Sequence, residues 1–166
     1  MTDEITTEPS PASVEAPTRK LGFVKFVGVV GIIGGILLIV VGIVAWIGVT
    51  TQLTAENITI PDDAAAMQGQ QVTGPITAYI QADIINTHAL AASGGKTYAE
   101  LAQDDPVRAT VMQASFLRAS LFTSIVAFGV ALFAAGMGVL AILFGWAFLR
   151  LAGAPVVVKQ ARMAAS

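Results

Sequence analysis

His88 is the one histidine among 166 residues, and cysteine is absent. An imidazole beside carboxylates is the start of a metal site or a general base. Non-haem iron sites take two histidines and a carboxylate, and catalytic zinc sites take at least two His or Cys ligands. One copy of this chain supplies neither set. The pairs Asp62-Asp63 and Asp104-Asp105 offer hard oxygen ligands, but without EF-hand spacing. Both stand where a helix is expected to begin, so capping of free N–H groups explains them more simply. Ser93-Gly94-Gly95-Lys96-Thr97 has phosphate-loop composition. It lacks the G-x-x-x-x-G-K-[ST] frame and follows an expected helix where that motif needs a strand. No G-x-S-x-G occurs, and no base stands near a serine in a triad pattern. Asn57-Ile58-Thr59 satisfies a glycosylation sequon formally. The chemistry-bearing residues therefore point to recognition: Asp62, Asp63, Asp83, Asn86, His88 and Arg108 form the candidate partner-binding surface. No cofactor, no metal and no enzymatic activity are expected, and a net charge of −2 argues against nucleic acid as a partner.

The elements that must position these residues are helical. Asn57-Ile58-Thr59-Ile60 reads as a short extended piece ended by Pro61. Asp62-Asp63 before Ala64-Ala65-Ala66-Met67 predicts a capped helical turn. Gly74-Pro75 opens a clearer helix running to about Ser93 and stopping at Gly94-Gly95. Ile76, Tyr79, Ile80, Ile84 and Ala91 are expected to form its apolar face. Thr97 to Glu100 matches a capping box, and Asp105-Pro106 marks another helix start. With no breaker between Pro106 and Gly129, one long helix is expected, its stripe Val107, Val111, Ala114 and Leu117 receiving the Ile-rich helix.

Two uncharged stretches flank this polar middle: Phe26 to Val49, 24 residues, and Ala119 to Leu149, 31 residues. About 20 apolar residues at roughly 1.5 Å each cross a bilayer core of about 30 Å. The expected fold is an all-α membrane protein: a two-helix transmembrane antiparallel hairpin carrying a small, mainly helical extracytoplasmic module. Its organisation is a disordered cytoplasmic tail at 1–20, a first span at 21–50, the module at 51–118, a second span at 119–150 continuous with the helix from about 106, and a cytoplasmic tail at 151–166. The first tail, with Thr6 and Thr7 near acids, is too polar to bury a core. In the last, Val156 to Met163 reads as an interfacial helix or plain tail. Arg19, Lys20 and Lys25 precede the first span, and Arg150, Lys159 and Arg162 follow the second. Positive residues resist translocation, so both termini are expected on the cytoplasmic side of the plasma membrane. The first stretch exceeds a signal-peptide core of about 7–15 residues and reads as an uncleaved anchor.

Small residues let helices approach closely in lipid. Ser120, Ser124, Ala127, Ala131, Ala134, Gly138, Ala141 and Gly145 follow alternating steps of four and three, and Gly28, Gly31, Gly35, Gly42 and Ala45 fall on a similar heptad broken by Leu38. These are the expected packing seams, facing each other or a further copy. Phe122, Val126, Phe133 and Leu140 are expected to face lipid or another subunit. Neither span has a central ionisable residue, which argues against a pump or carrier.

The runs Ile60-Pro61-Asp62-Asp63-Ala64, Gly74-Pro75 and Ala82-Asp83-Ile84-Ile85-Asn86-Thr87-His88-Ala89-Leu90 resemble a group of small actinobacterial two-span membrane proteins. So do Gly94-Gly95-Lys96-Thr97-Tyr98-Ala99-Glu100-Leu101, Asp105-Pro106-Val107-Arg108 and Ala114 to Ser124. The likeness covers roughly Leu21 to Leu149. Members often carry the label aromatic ring-opening dioxygenase, which implies a two-His, one-carboxylate iron site; the resemblance assigns no catalytic residue, and one histidine leaves that set incomplete. The expected function is a non-enzymatic accessory or scaffold subunit in the lipid bilayer, presenting its module to a membrane or envelope partner or to another copy. The first alternative is an extracytoplasmic sensor or ligand receptor, marked by a cavity under the Ile76–Ser93 helix; below it rank a ring-opening dioxygenase, as the label says, and a homo-oligomeric pore.

Overall fold

The computed structural model describes residues 18–153. It holds three helices: α1 (Thr18–Ala55), α2 (Pro75–Ala92) and α3 (Arg108–Gly153). No strand occurs among the described residues; Thr59 and Gln71 form one isolated antiparallel bridge. Both tails expected from sequence, with Thr6, Thr7 and the Val156–Met163 segment, lie mostly outside the described residues. Where the ends are described, both long helices run on past the expected spans, α1 starting at Thr18 and α3 ending at Gly153.

α1 and α3 are both long and apolar enough to cross a membrane. At about 1.5 Å per residue, their 38 and 46 residues make rods of about 57 and 69 Å. They lie side by side and antiparallel: Gly28 meets Gly145, Gly35 meets Gly138 and Gly42 meets Ala131. A β-carbon at Gly35 would sit 2.5 Å from the Gly138 carbonyl oxygen, and one at Gly138 2.5 Å from that of Gly35. The backbones touch there, which only glycine permits. Beyond Gly42 the seam changes character. Phe128, 1% exposed, packs edge-on against Trp46 with ring centroids 4.7 Å apart.

Most of the expected seam lies in the interface, buried or half-buried, with two departures: Ala45 and Ser120 are exposed. Ile39 takes the turn that Leu38 was expected to break, its side chain beside Gly138. Leu121 and Phe128 are buried at the end beyond Gly42, where small residues alone would leave a gap. Phe122, Val126, Phe133 and Leu140 point outward.

α2 packs on α3 alone and makes no helix–helix contact with α1. Along α3, α1 occupies the C-terminal part and α2 the N-terminal part. A small core joins the two arrangements: Leu53, Ile60, Ala64, Val72, Ala78, Ala82 and Ile84 with Leu121 and Phe128.

Local geometry explains the connections. The extended piece at Ile58–Ile60 has a partner, because Ile60 N–H donates to Gln70 C=O and Val72 N–H to Ile58 C=O, each at 2.9 Å. The helical turn expected after Asp62-Asp63 does not form. Ala64 N–H donates back to Pro61 C=O, and Met67 takes φ 57°, outside the helical region. The chain must reverse here to bring Gln70–Val72 beside Ile58–Ile60. α2 starts as expected, with Thr77 Oγ accepting from Gly74 N–H at 3.1 Å. It ends in a 6→1 bond from Gly95 N–H to Leu90 C=O at 2.7 Å, with Gly94 at φ 64° and Gly95 at φ 85°. The Thr97–Glu100 box forms in half: the Glu100 carboxylate accepts from the Thr97 N–H and from the Thr97 hydroxyl, each at 2.7 Å, and the segment makes only a turn. Asp105 accepts from Val107 N–H at 2.9 Å and caps α3.

The face that α2 buries is only partly the expected one. Ile84 is buried and Ile80 packs against the core as expected, but Ala78, Gln81, Ala82 and Ala89 are buried too, while Ala91 is exposed and Ile76 and Tyr79 are 64% and 56% exposed. Small side chains let α2 sit close to α3, and that closeness turns the bulky residues outward.

Candidate functional site

Two of the six candidate residues meet. The loop after Pro61 carries Asp63 against the exposed face of α2, where His88 Nε2 stands 2.7 Å from Asp63 Oδ2. A carboxylate only accepts, so the imidazole N–H donates. That hydrogen bond holds the Asp63 carboxyl below its usual range, with the imidazole's charge adding to it. The two side chains are 62% and 53% exposed, so the pair is a wet surface clasp between loop and helix. Asp63 is the one hydrogen-bond partner of the imidazole among the described residues.

The other four candidates disperse. Asp62 is exposed beside Asp63 without a hydrogen bond of its own. Asp83 is exposed on α2, where its main-chain carbonyl accepts from Thr87 Oγ at 3.2 Å. Asn86 is half-buried against the far turn. Arg108 is structural: its guanidinium donates to the Leu101 carbonyl and, at 3.2 Å, to the Tyr98 carbonyl, and stacks 4.1 Å over the Tyr98 ring. It ties the Thr97–Val107 loop to the start of α3. Glu100 belongs to the same loop, its carboxyl held below its usual range by the Thr97 backbone N–H and then by the Thr97 hydroxyl.

Two recesses lie between α2 and α3. An open groove of about 410 Å³ runs from His88 and Ile85 across Ala89 and Ala92 to Thr110, Gln113, Ala114 and Leu117. On the other side of α2 a tighter cavity of about 40 Å³ is lined by Asn86, Thr97, Tyr98, Ser115 and Arg118, among others. Arg118 Nε and Gln81 Oε1 are buried without a hydrogen-bond partner. Gln113, Thr110, Ser115 and Arg118 were not singled out from sequence. They sit on the protruding part of a helix whose face became definite only once α2 was docked.

Among the described residues no three His, Asp or Glu side chains cluster closely enough to hold a metal ion. The groove can accept an apolar or amide-bearing segment, with His88 and Gln113 as its polar edges. No protein-family model matches the chain, and neither a curated protein nor a solved structure matches it.

Proposed function

We propose that this is a two-span plasma-membrane protein that presents its 51–118 segment outside the cytoplasm as a docking module for a membrane or envelope partner. The observation that carries the reading is the continuity of α3. One unbroken helix packs with α1 over its apolar length and with α2 beyond it. A rigid stalk of that kind holds a recognition surface at fixed height and angle over a bilayer. Aromatic residues near both ends of the apolar length support the placement. Trp146 lies under Arg150, 5.0 Å from its guanidinium, and Trp46 precedes the polar run Thr50-Thr51-Gln52. Lys25 and Arg150 at one end favour that end as cytoplasmic.

The groove between α2 and α3 is the favoured contact surface. Photo-crosslinking amino acids at Thr110 and Gln113 in living cells, followed by mass spectrometry, should recover one stoichiometric partner or a second copy of the chain. Free monomer at both positions would defeat the reading. Single-cysteine variants at Thr97 should react with an impermeant maleimide from outside intact cells; protection there would reverse the topology. The same groove favours a second reading, an extracytoplasmic receptor for a small apolar ligand. Stabilisation of purified protein by such a ligand, lost in Ala89→Phe, would separate it from the first.

A further inference from the structure

The first turn of α2 presents two large side chains outward although its buried side is alanine. Ile76 and Tyr79 are mostly exposed, and the Tyr79 ring packs edge-on against Phe122 of α3 with centroids 6.2 Å apart. Such a patch on a water-facing module would be unfavourable. Its level along the hairpin suggests another solvent. With Gly42 against Ala131 and Trp46 against Phe128, the antiparallel register brings Thr50 to the level of Ser124. α1 turns polar there at Thr50-Thr51-Gln52, while α3 has Thr123-Ser124 at that level and its first charge, Arg118, farther out; Phe122 lies half a turn beyond Ser124. Tyr79 is therefore at the boundary.

Two further observations give the patch a direction. Below it, Phe122, Val126, Phe133 and Leu140 continue down one exposed side of α3, so the patch joins the apolar surface of the hairpin without a gap. Above it, Asp83 follows Ile76 by two turns on the same face of α2 and is exposed. On this face of α2 apolarity thus ends within two turns, as it would across a headgroup layer, while on α3 Phe116 and Leu117 stay exposed above Phe122. Tyrosine suits such a layer, with an apolar ring and a hydroxyl that stays hydrated.

We propose that Ile76 and Tyr79, with Phe122, form a lipid-contacting foot that seats the base of α2 at the boundary between acyl chains and headgroups. The occupant is the bilayer itself, and the inference rests on the membrane-spanning reading above. The chain has no native cysteine, so nitroxide labels can be placed singly at Ile76→Cys, Tyr79→Cys, Asp83→Cys and Phe133→Cys in the full chain. Each is reconstituted in phosphatidylcholine vesicles and compared for collision with oxygen and with a water-soluble nickel chelate. Labels at 76 and 79 should show an oxygen-to-nickel collision ratio several-fold above the label at 83. Nickel collisions at 76 and 79 equal to those at 83 would overturn the foot while leaving the spans intact, provided the label at 133 favours oxygen. Shielding of 76 and 79 from both reagents would also overturn it, because a protein surface then covers the patch. Nickel access at 133 would bring down the spanning reading and the foot with it.

Discussion

α3 serves two partners by opposite rules. Against α1 its inner face is small and its outer face bulky: Gly138 and Gly145 are buried while Phe133 and Leu140 are exposed. Where the 57–72 loop joins the hairpin and α2 the pattern reverses to one familiar in water, although α2 itself meets α3 through small residues such as Ala78, Ala82 and Ala89. Ile60, Val72 and Ile84 are buried with Leu121 and Phe128, and charged residues such as Asp62, Asp63 and Asp83 stay outside. Burying large apolar groups is favourable where the alternative is water. In lipid the alternative is equally apolar, so close backbone contact decides which surfaces meet. One helix therefore carries two packing solutions end to end, with Phe128 at the change.

Gly138→Leu should break the first solution most severely. Overpacking usually costs about 1–3 kcal/mol, and here the obstacle is the Gly35 main chain, which cannot rotate away. The loss should reach the top of that range or exceed it, read as unfolding of the hairpin in detergent by a denaturant titration. An unchanged midpoint would refute backbone contact at this pair. Ile60→Val should act on the second solution alone, costing about 0.5–1.5 kcal/mol as for other buried deletions of one methylene. Faster amide exchange confined to the 57–72 loop and α2 is the expected result; equal acceleration through the hairpin would show the two regions to be one cooperative unit. Gly129→Ala sharpens the first comparison, because nothing lies within 4 Å of a β-carbon there. It should change hairpin stability by no more than about 1 kcal/mol, in the stabilising direction that helix propensity gives alanine.

The smallest effect is a pH dependence. Asp63 and Glu100 both have folded values below their ordinary ones. A depressed carboxyl stabilises the fold at pH values above its unfolded pKa, and that contribution is lost as pH falls through the folded pKa. The Asp63–His88 clasp and the Thr97 turn should loosen as pH drops below about 4. The stretch Phe26–Val49, without a titratable side chain, should not respond. Amide exchange at neutral and acidic pH compares the two directly, and a uniform response would contradict the assignment.

Sequence carried the long elements well because their patterns are local. Uncharged length marked both helices, Gly94-Gly95 marked the end of α2, and Asp105-Pro106 marked the start of α3. The seam was legible wherever glycine was needed, since few other demands put Gly28, Gly35, Gly138 and Gly145 in one register. It failed at Ala45 and Ser120, which are exposed, because the larger Phe128 and Leu121 take the buried positions at that end. The face of α2 was misjudged for a similar reason. Hydrophobic periodicity favoured Ile76 and Tyr79, but the docking distance on α3 selects Ala78 and Ala82, and that distance depends on another element. Asp62-Asp63 looked like a helix cap because Ala64-Ala65-Ala66 follows; the pairing of Ile60 with Gln70 overrides the local preference. The meeting of Asp63 with His88, 25 positions apart, has no local signature at all.

The uninterrupted course of α3 makes the molecule a lever. Its 46 residues form an arm of about 69 Å, and a stiff arm pivoting through about 10° swings one end by about 12 Å relative to the other. If α1 and α3 span a bilayer as proposed, thinning or thickening of the surrounding lipid would tip such an arm, and a partner held in the groove at Gln113 would feel that change from a distance.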